Sequence, residues 1–391
     1  MSKNHPRQKK AIITVVTNDY FYQAVILGRT IDLFEQDTDF IVFVVGYKHD
    51  ECCYQDCAFE IVDAKILNTE EWERFLFQYT GIAACCALKP RALKHTLLHY
   101  DKVIYLDSDM KLFKNLSEAW EKLDHADLSL TPHRNGATSF AAPLVSSMML
   151  RISGIFNAGY IGATPSISPF LDWWWEKTHY NCLVDDFIIG IYLDQLYLHE
   201  ALGRVDQLNI LKHAGYNVAW WNFDQRKIER HHDHYIVNNL PLVLFHFSCF
   251  QFFLQNLKNF QWLQGRFGEI YFELYTNYMG ERSYHKNRLS ITTYPHDHFK
   301  DGTAISYDWR EYIRRDIPEL KEIHHPFDLS AEERKKIEEI MHKRPEFFQP
   351  NSTREVNDWR NSDLVYTRAL SKSDSYIRFL EKTLQERGVA K

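Results

Sequence analysis

Ala11 to Val16 is a run of apolar, mostly β-branched residues that stops at Thr17-Asn18-Asp19. A short apolar run closed by polar turn formers predicts a buried strand. Similar runs at Ile41 to Val45 (closed by Gly46), Phe59 to Val62, Lys102 to Leu106, and Leu128 to Thr131 (stopped by Pro132) predict four more. Between them, Tyr22 to Phe34, Glu70 to Tyr79 and Lys89 to His99 read as helices, with apolar residues at helical spacing. Strands alternating with helices predict a parallel α/β sheet.

From Phe156 the pattern is more mixed. Phe170 to Lys177 reads as an aromatic helix, with Trp173-Trp174-Trp175 assigned to packing, and Ile189 to Leu202 as a further helix. Leu240 to Phe247 is a last strand-like run with His246 near its end. Beyond about Gln255 the chain is richer in charge and in helical spacing. Ser330-Ala331-Glu332-Glu333 is a capping box opening a helix that Pro345 stops. Asp374 to Gly388 reads as an amphipathic helix and Pro350 to Asp363 as loop. The expected organisation is a flexible N-terminus over 1–10, an α/β domain over 11–255 and a mainly helical region over 256–391.

The chemistry concentrates where the fourth strand ends, at Tyr105-Leu106-Asp107-Ser108-Asp109. In extended chain, side chains at i and i+2 point the same way, so Asp107 and Asp109 can face one spot. That spot lies past a strand's carboxyl end, where ligands bind in open α/β sheets. Two carboxylates there repel unless a cation sits between them, and hard oxygen donors suit Mg²⁺ or Mn²⁺ bridging substrate phosphates. The same motif admits a plain polar turn. It also admits a haloacid-dehalogenase-type phosphatase, but that family usually carries the motif on its first strand and follows it with a small pair such as Gly-Thr, unlike Met110-Lys111.

Composition narrows the class. The 391 residues are 45% hydrophobic and 25% charged, which is globular material, and the net charge of −6 argues against a general binder of nucleic acid or anionic membrane. Aromatic residues at 15% fit a carbohydrate enzyme, because rings stack on bases and sugar faces as well as filling cores. Basic residues cluster only at Lys9-Lys10 and at Arg334-Lys335-Lys336, the latter read as a solvated helix face. No apolar stretch reaches a membrane span, and the run after Lys10 is too short for a signal-peptide core. A cytoplasmic protein is expected, with peripheral membrane contact left open. The seven cysteines (Cys52, Cys53, Cys57, Cys85, Cys86, Cys182 and Cys249) contain no Cys-x-x-Cys pair and read as free thiols.

The motifs, in order, resemble the GT-A glycosyltransferases over roughly residues 11 to 250. They resemble especially the retaining family eight, typified by glycogenin and the bacterial lipopolysaccharide galactosyltransferases. Thr17-Asn18-Asp19-Tyr20 matches the nucleotide contact after the first strand, and Leu88-Lys89-Pro90-Arg91 the basic segment near the diphosphate. Asp107-Ser108-Asp109 is the Asp-x-Asp motif, Phe156-Asn157-Ala158-Gly159-Tyr160 the strand beside the donor sugar, and Asp194-Gln195 the pair over its reactive face. Tyr216 to Asn222 and Phe245-His246-Phe247-Ser248 match the later "W-N" and "H-F-x-G" elements. A less characterised bacterial group is closer still, and shares the Phe299 to Ile305 stretch and Pro326-Phe327. The chain departs from family eight at Cys249, where a glycine is usual, at Leu196 in place of a second acidic residue, and in lacking "K-P-W" after the histidine.

The resemblance implies a GT-A fold and transfer of a hexose from a nucleoside-diphosphate sugar, most simply a UDP-sugar, to a glycan or lipid-linked glycan, with retention. It implies Asp107, Asp109 and His246 as ligands to Mn²⁺ or Mg²⁺. Asp194 is then the nucleophile or the sugar-orienting carboxylate, with Gln195 beside it. Thr17, Asn18, Tyr20, Lys89, Arg91, Ser108, Asn157, Ala158, Gly159 and Asn222 would contact the donor, Gly159 by letting the backbone approach it. A nucleotide-sugar hydrolase, a nucleotidyltransferase and an inactive sugar-binding module on the same fold are the alternatives. A pyrophosphorylase would need a Gly-rich basic loop at Thr17-Asn18-Asp19, which is absent. Homo-oligomerisation stays open. The histidines at 231, 232 and 234, at 296 and 298 and at 324 and 325 read as solvated, although His296 and Arg310 flank the Gly302 turn and could reach a substrate. Asp185-Asp186, in an acidic turn, reads as a helix cap, with acceptor binding as the alternative.

Overall fold

The structure, a computed structural model, describes residues 9–48, 54, 57–67, 70–135, 150, 153–183, 193–248, 268–289, 293–314 and 318–343. The expectations at Cys52, Cys53, Cys249, Asp185-Asp186, Pro350 to Asp363 and Asp374 to Gly388 lie outside the described residues, as do residues 1–8.

The apolar runs form a seven-stranded sheet. Its strands are β1 (Lys10–Thr17), β2 (Asp39–Val45), β3 (Glu60–Asp63), β4 (Lys102–Leu106), β6 (Leu128–Pro132), β7 (Phe156–Ala163) and β8 (Leu208–Ile210). Their order is β3-β2-β1-β4-β7-β6-β8. Along β1, Ala11, Ile13 and Val15 enter one core cluster and Ile12 and Val16 the other. Both faces are covered, which is why the strand reads as continuous rather than alternating hydrophobicity. One face packs on α3 (Gly81–Thr96) and α5 (Ser168–Asn181), through Leu88, Leu93 and Trp174. The other packs on α1 (Phe21–Phe34) and α4 (Ser117–Lys122), through Leu27, Ile31 and Trp120. This is the expected α/β architecture, a mostly parallel sheet flanked by helices.

One strand departs from the parallel expectation. β7 runs antiparallel to both β4 and β6. Reversing it brings its first residues, Phe156 to Gly159, beside the carboxyl end of β4, where a parallel strand would have placed its last. Asp107 N donates to Gly159 O at 2.9 Å. A short strand missed in the sequence, β5 (Met110–Leu112), follows the Asp pair and pairs antiparallel with β12 (Leu244–His246), setting His246 opposite Met110. Leu240 to Phe247 is thus not one strand: β11 (Leu240–Pro241) closes a small sheet with β9 (Ile228–His231) and β10 (His234–Val237) before β12 begins.

Helix boundaries also shift. α2 spans only Trp72–Phe77. α3 starts at Gly81 and carries Pro90 in its interior. A proline usually marks a helix start, and that signal hid two earlier turns with apolar Ala83, Ala84 and Ala87. Gly81 fits because a Cβ there would lie 2.8 Å from Thr17 Cγ2. The described part of the expected 189–202 helix is a 3₁₀ segment, Gln195–Glu200, leading into one turn, Ala201–Arg204.

The later chain forms α6 (Glu269–Arg288), α7 (Tyr307–Arg314) and α8 (Ala331–His342). The capping box is present: Ser330 N donates to Glu333 Oε2 at 2.8 Å, and Glu333 N to Ser330 Oγ at 3.3 Å. This region enters the main core through Tyr294, Phe299, Trp309 and Ile313. Arg74 donates to the carbonyls of Ile313, Leu320 and Ile323, and Arg310 to those of Phe77 and Tyr79. Arg334 is not solvated as expected: it is buried, pairs with Asp301 and lies over the Phe299 ring. Among the described residues no helix is long and apolar enough to cross a membrane.

Candidate functional site

The sheet order reverses between β1, whose onward partners are β2 and β3, and β4. The crevice past their carboxyl ends is the topological switch point. The Asp107-Ser108-Asp109 turn opens there, with Met110 N donating to Asp107 O at 3.0 Å. The β5–β12 pairing carries the imidazole to the same point. Phe247 N donates to Asp109 O at 2.9 Å, and His246 Nε2 lies 3.1 Å from Asp109 Oδ1 and 3.9 Å from Asp107 Oδ2. One donor atom from each of the three residues falls within 4.8 Å of the others. Bonds of about 2.1 Å set neighbouring octahedral donors about 3.0 Å apart and opposite ones about 4.2 Å apart. The two His246 separations, 3.1 and 3.9 Å, fall within that range, so the trio could hold one ion, and two carboxylates with an imidazole suit Mn²⁺ or Mg²⁺.

Lys89 is the second anchor. Its ammonium is buried and lies 3.0 Å from Asp107 Oδ1, 3.0 Å from Asp194 Oδ2 and 3.1 Å from Ala158 O, which engages all three N–H groups. Tyr105 Oη also donates to Asp107 Oδ1 at 3.0 Å, leaving Oδ2 as the oxygen on the His246 side. Burial alone would lower the Lys89 pKa, but Asp107 and Asp194 outweigh it and hold it well above the ordinary value. Burial raises the pKa of Asp194, opposed by Lys89 and reinforced by Asp107. Asp194 is fixed further by Trp174 Nε1, which donates to its carbonyl at 3.0 Å, and follows Leu193 at φ +50°. Such left-handed backbone is uncommon for leucine and collects at functional sites.

Arg91 does not join Lys89. Two positions along a helix turn a side chain by about 200°. Its Nε donates to Leu67 O at 2.8 Å and its guanidinium lies 5.5 Å from the Trp175 ring centre.

A buried amide cluster lies behind Asp107, Asp109 and His246. Gly159 N donates to Asn157 Oδ1 at 3.0 Å, and Asn217 Nδ2 donates to the same oxygen at 3.0 Å and to Thr131 Oγ1 at 2.8 Å. Asn217 Oδ1 lies 3.1 Å from His246 Nδ1. Asn157 Nδ2 reaches Gln195 Oε1 and His133 Nε2, each at 3.3 Å. His133 Nδ1 lies 2.8 Å from Gly154 O. Burial lowers the His133 pKa to about 4, so the ring is neutral at pH 7, with a proton on Nδ1 and an acceptor at Nε2.

Other expected residues divide. Thr17 and Asn18 are buried at the end of β1, and Asn18 Nδ2 donates to Thr293 O at 3.4 Å. Tyr20 stacks on Tyr22, and Ser108 Oγ donates to Gln23 Oε1 at 3.0 Å. Gly159 makes room for protein rather than ligand: a Cβ would lie 2.6 Å from His246 Cε1 and from Met110 Cε. Asn222 is fully buried and builds a turn, accepting from Ala219 N and donating to the carbonyls of His133 and Asn217. Sugar hydroxyls, the expected partners of Asn222, find its polar atoms already engaged.

Two residues at the site were not singled out from sequence, Asn217 and His133. Asn217 adopts φ +51°, a left-handed conformation that asparagine favours, and it is a lone polar residue among apolar neighbours. His133 has no such signal. His296 is not solvated: it is wedged against Tyr294 and Phe327, and burial lowers its pKa to about 4. His231 and His234 face each other across an exposed hairpin. Among the described residues, Cys85, Cys86 and Cys182 are free thiols.

No protein-family model matches the chain. Over 209 residues, 52% of this chain, it is 28% identical to the uncharacterised protein YfnD of Bacillus subtilis strain 168, of whose length it spans 63%, less than two thirds. It is 21% identical over 253 residues to the uncharacterised protein YfnF of the same strain, covering 62% of this chain and 82% of that protein. Among solved structures it is similar to the galactosyltransferase LgtC in complex with donor and acceptor sugar analogues. That likeness is 16% in sequence, covers 73% of this chain and 97% of the other, and has a TM-score of 0.43.

Proposed function

We propose that this protein is a metal-dependent glycosyltransferase that moves a hexose from a nucleoside-diphosphate sugar, with UDP as the nucleotide, to a hydroxyl of a glycan or lipid-linked glycan, with retention. The observation that carries the reading is the convergence of Asp107, Asp109 and His246 at the switch-point crevice, with Lys89 linking Asp107 to the buried Asp194. The ordered series of motifs from Thr17 to His246 supports the same assignment.

Breaking the bond between the anomeric carbon and the diphosphate leaves negative charge on the leaving group and positive charge on the sugar. Stabilising that separation is the main catalytic demand. An ion held by Asp107, Asp109 and His246 would supply Lewis-acid stabilisation to the diphosphate. Asp194 supplies a fixed carboxylate, and Lys89 holds it while compensating its charge. Gln195 is oriented by Asn157 through its oxygen, which leaves its amide hydrogens to a sugar hydroxyl. The fixed array needs no rearrangement as charge develops, which is the physical basis of preorganised catalysis.

Calorimetric binding of UDP, with and without Mn²⁺, to the wild type and to Asp109→Ala tests the reading. The expected result is binding that needs Mn²⁺ and disappears in the variant. GDP or dTDP binding in place of UDP would change the donor and keep the site. Failure to bind any nucleoside diphosphate would refute the assignment.

A further inference from the structure

We propose that Asn217 is a positioning residue that fixes His246 as a metal ligand through Nε2, at one end of a chain of hydrogen bonds that also runs through Asn157 to Gln195. The inference rests on the metal-centre reading above and adds a residue that the sequence motifs do not assign.

One group in this chain of hydrogen bonds has a polarity that is not adjustable. The backbone N–H of Gly159 is a donor, so the side-chain atom it meets at 3.0 Å, Asn157 Oδ1, is an oxygen. The Asn217 atom facing that oxygen at 3.0 Å must then be the amide nitrogen. The second hydrogen of that nitrogen goes to Thr131 Oγ1 at 2.8 Å. Both donors of Asn217 are thereby committed, and the atom left to face His246 Nδ1, at 3.1 Å, is an oxygen. An oxygen there requires a proton on Nδ1. Neutral imidazole carries one proton, so Nε2 bears the lone pair, and Nε2 is the nitrogen beside Asp107 and Asp109.

The same backbone N–H sets the other branch. With its oxygen committed, Asn157 presents its nitrogen to Gln195 Oε1 and His133 Nε2. The neutral His133, which keeps its proton on the Gly154 side, accepts that bond. One chain of hydrogen bonds thus specifies the His246 tautomer and the Gln195 amide together. Its members are almost wholly buried: Asn217 is fully so, and His246 is 3% and Asn157 6% exposed. Partners outside the ligand shell that hold a histidine in this way affect metal affinity by about 10- to 100-fold.

The test is direct titration with Mn²⁺ alone, free ion being read by electron paramagnetic resonance, on the wild type, Asp109→Ala, Asn217→Gly and Asn217→Asp. Glycine keeps the left-handed backbone and removes the amide. Aspartate keeps an oxygen facing Nδ1 and loses the donors to Thr131 and Asn157. The expected result is Mn²⁺ binding about 10- to 100-fold weaker in Asn217→Gly and restored to within about threefold in Asn217→Asp. Restoration by an acceptor that cannot rebuild the other bonds is an outcome that general loosening of the fold does not produce. Wild-type affinity in Asn217→Gly, or equal losses in both variants, would overturn the proposal while leaving the metal centre intact. Equal Mn²⁺ binding by the wild type and Asp109→Ala would overturn the metal centre itself, and the proposal with it.

Discussion

Replacing Lys89 with methionine keeps the length of the side chain and removes the cation that lies between Asp107 and Asp194. The ammonium lies 3.0 Å from a carboxylate oxygen of each, and its side chain and that of Asp194 are both 3% exposed. Breaking a buried charge pair by deleting one partner costs about 3–5 kcal/mol, because the remaining charge is left desolvated. That loss is expected in chelator-treated protein at pH 7. It should also depend on pH. Asp194 already has a folded pKa above its unfolded value, and without Lys89 the rise is larger. A carboxyl raised on folding binds more protons in the native state, so stability falls as pH rises from the unfolded pKa to the folded one. The deficit of Lys89→Met should therefore narrow towards acid by up to about 1.4 kcal/mol per pH unit within that window. Lys89 itself contributes stability that is present below its unfolded pKa and is lost as pH rises through its higher folded value, so the wild-type advantage closes again in strong alkali. Urea unfolding of both proteins from pH 5 to pH 8 reads the effect. A deficit below about 1 kcal/mol, or one that does not change with pH, would refute the buried-bridge account.

Other expectations follow from the same geometry. Gly159→Ala forces a Cβ within 2.6 Å of His246 Cε1 and Met110 Cε, and overpacking of this kind costs about 1–3 kcal/mol. A Mn²⁺ titration of that variant should show weakened binding, and unchanged affinity would mean that the ring has room to shift. His133 has its pKa lowered by burial to about 4, so stability drains as pH falls from the unfolded value of 6.5 to the folded one. His133→Gln should flatten that acid limb by up to about 3 kcal/mol between pH 6.5 and pH 4 in urea unfolding, and parallel limbs would contradict it.

Much of this site is legible as pattern because the relevant elements are local. Asp107 and Asp109 are two residues apart at the end of a strand whose apolar run is plain, and the capping box at Ser330 is a four-residue signature. What the pattern conceals depends on partners distant in sequence. The reversal of β7 is set by its two neighbours, and an apolar strand reads the same in either direction. Lys89 and Arg91 are equivalent as letters, and only the phase of α3, which starts at Gly81 rather than at Lys89, separates them. Asn222 and Asn217 belong to one motif, and the bond to His246 that distinguishes them crosses from one segment to another.

The two-stranded pairing of β5 with β12 sets an order of events during folding. Asp107 and Asp109 sit on chain that β1 and β4 organise with their near neighbours, but His246 reaches them only when a loop running from Leu112 to Leu244 closes. Closing so long a loop is slow and entropically costly relative to local structure, so this contact forms late. A nascent chain that has emerged only as far as β7 carries the two carboxylates without the imidazole. The proposed metal centre would consequently be complete only in the finished molecule. Because an ion that binds only the native state pulls the equilibrium towards it, loading of that centre would act as a latch on the final step of assembly.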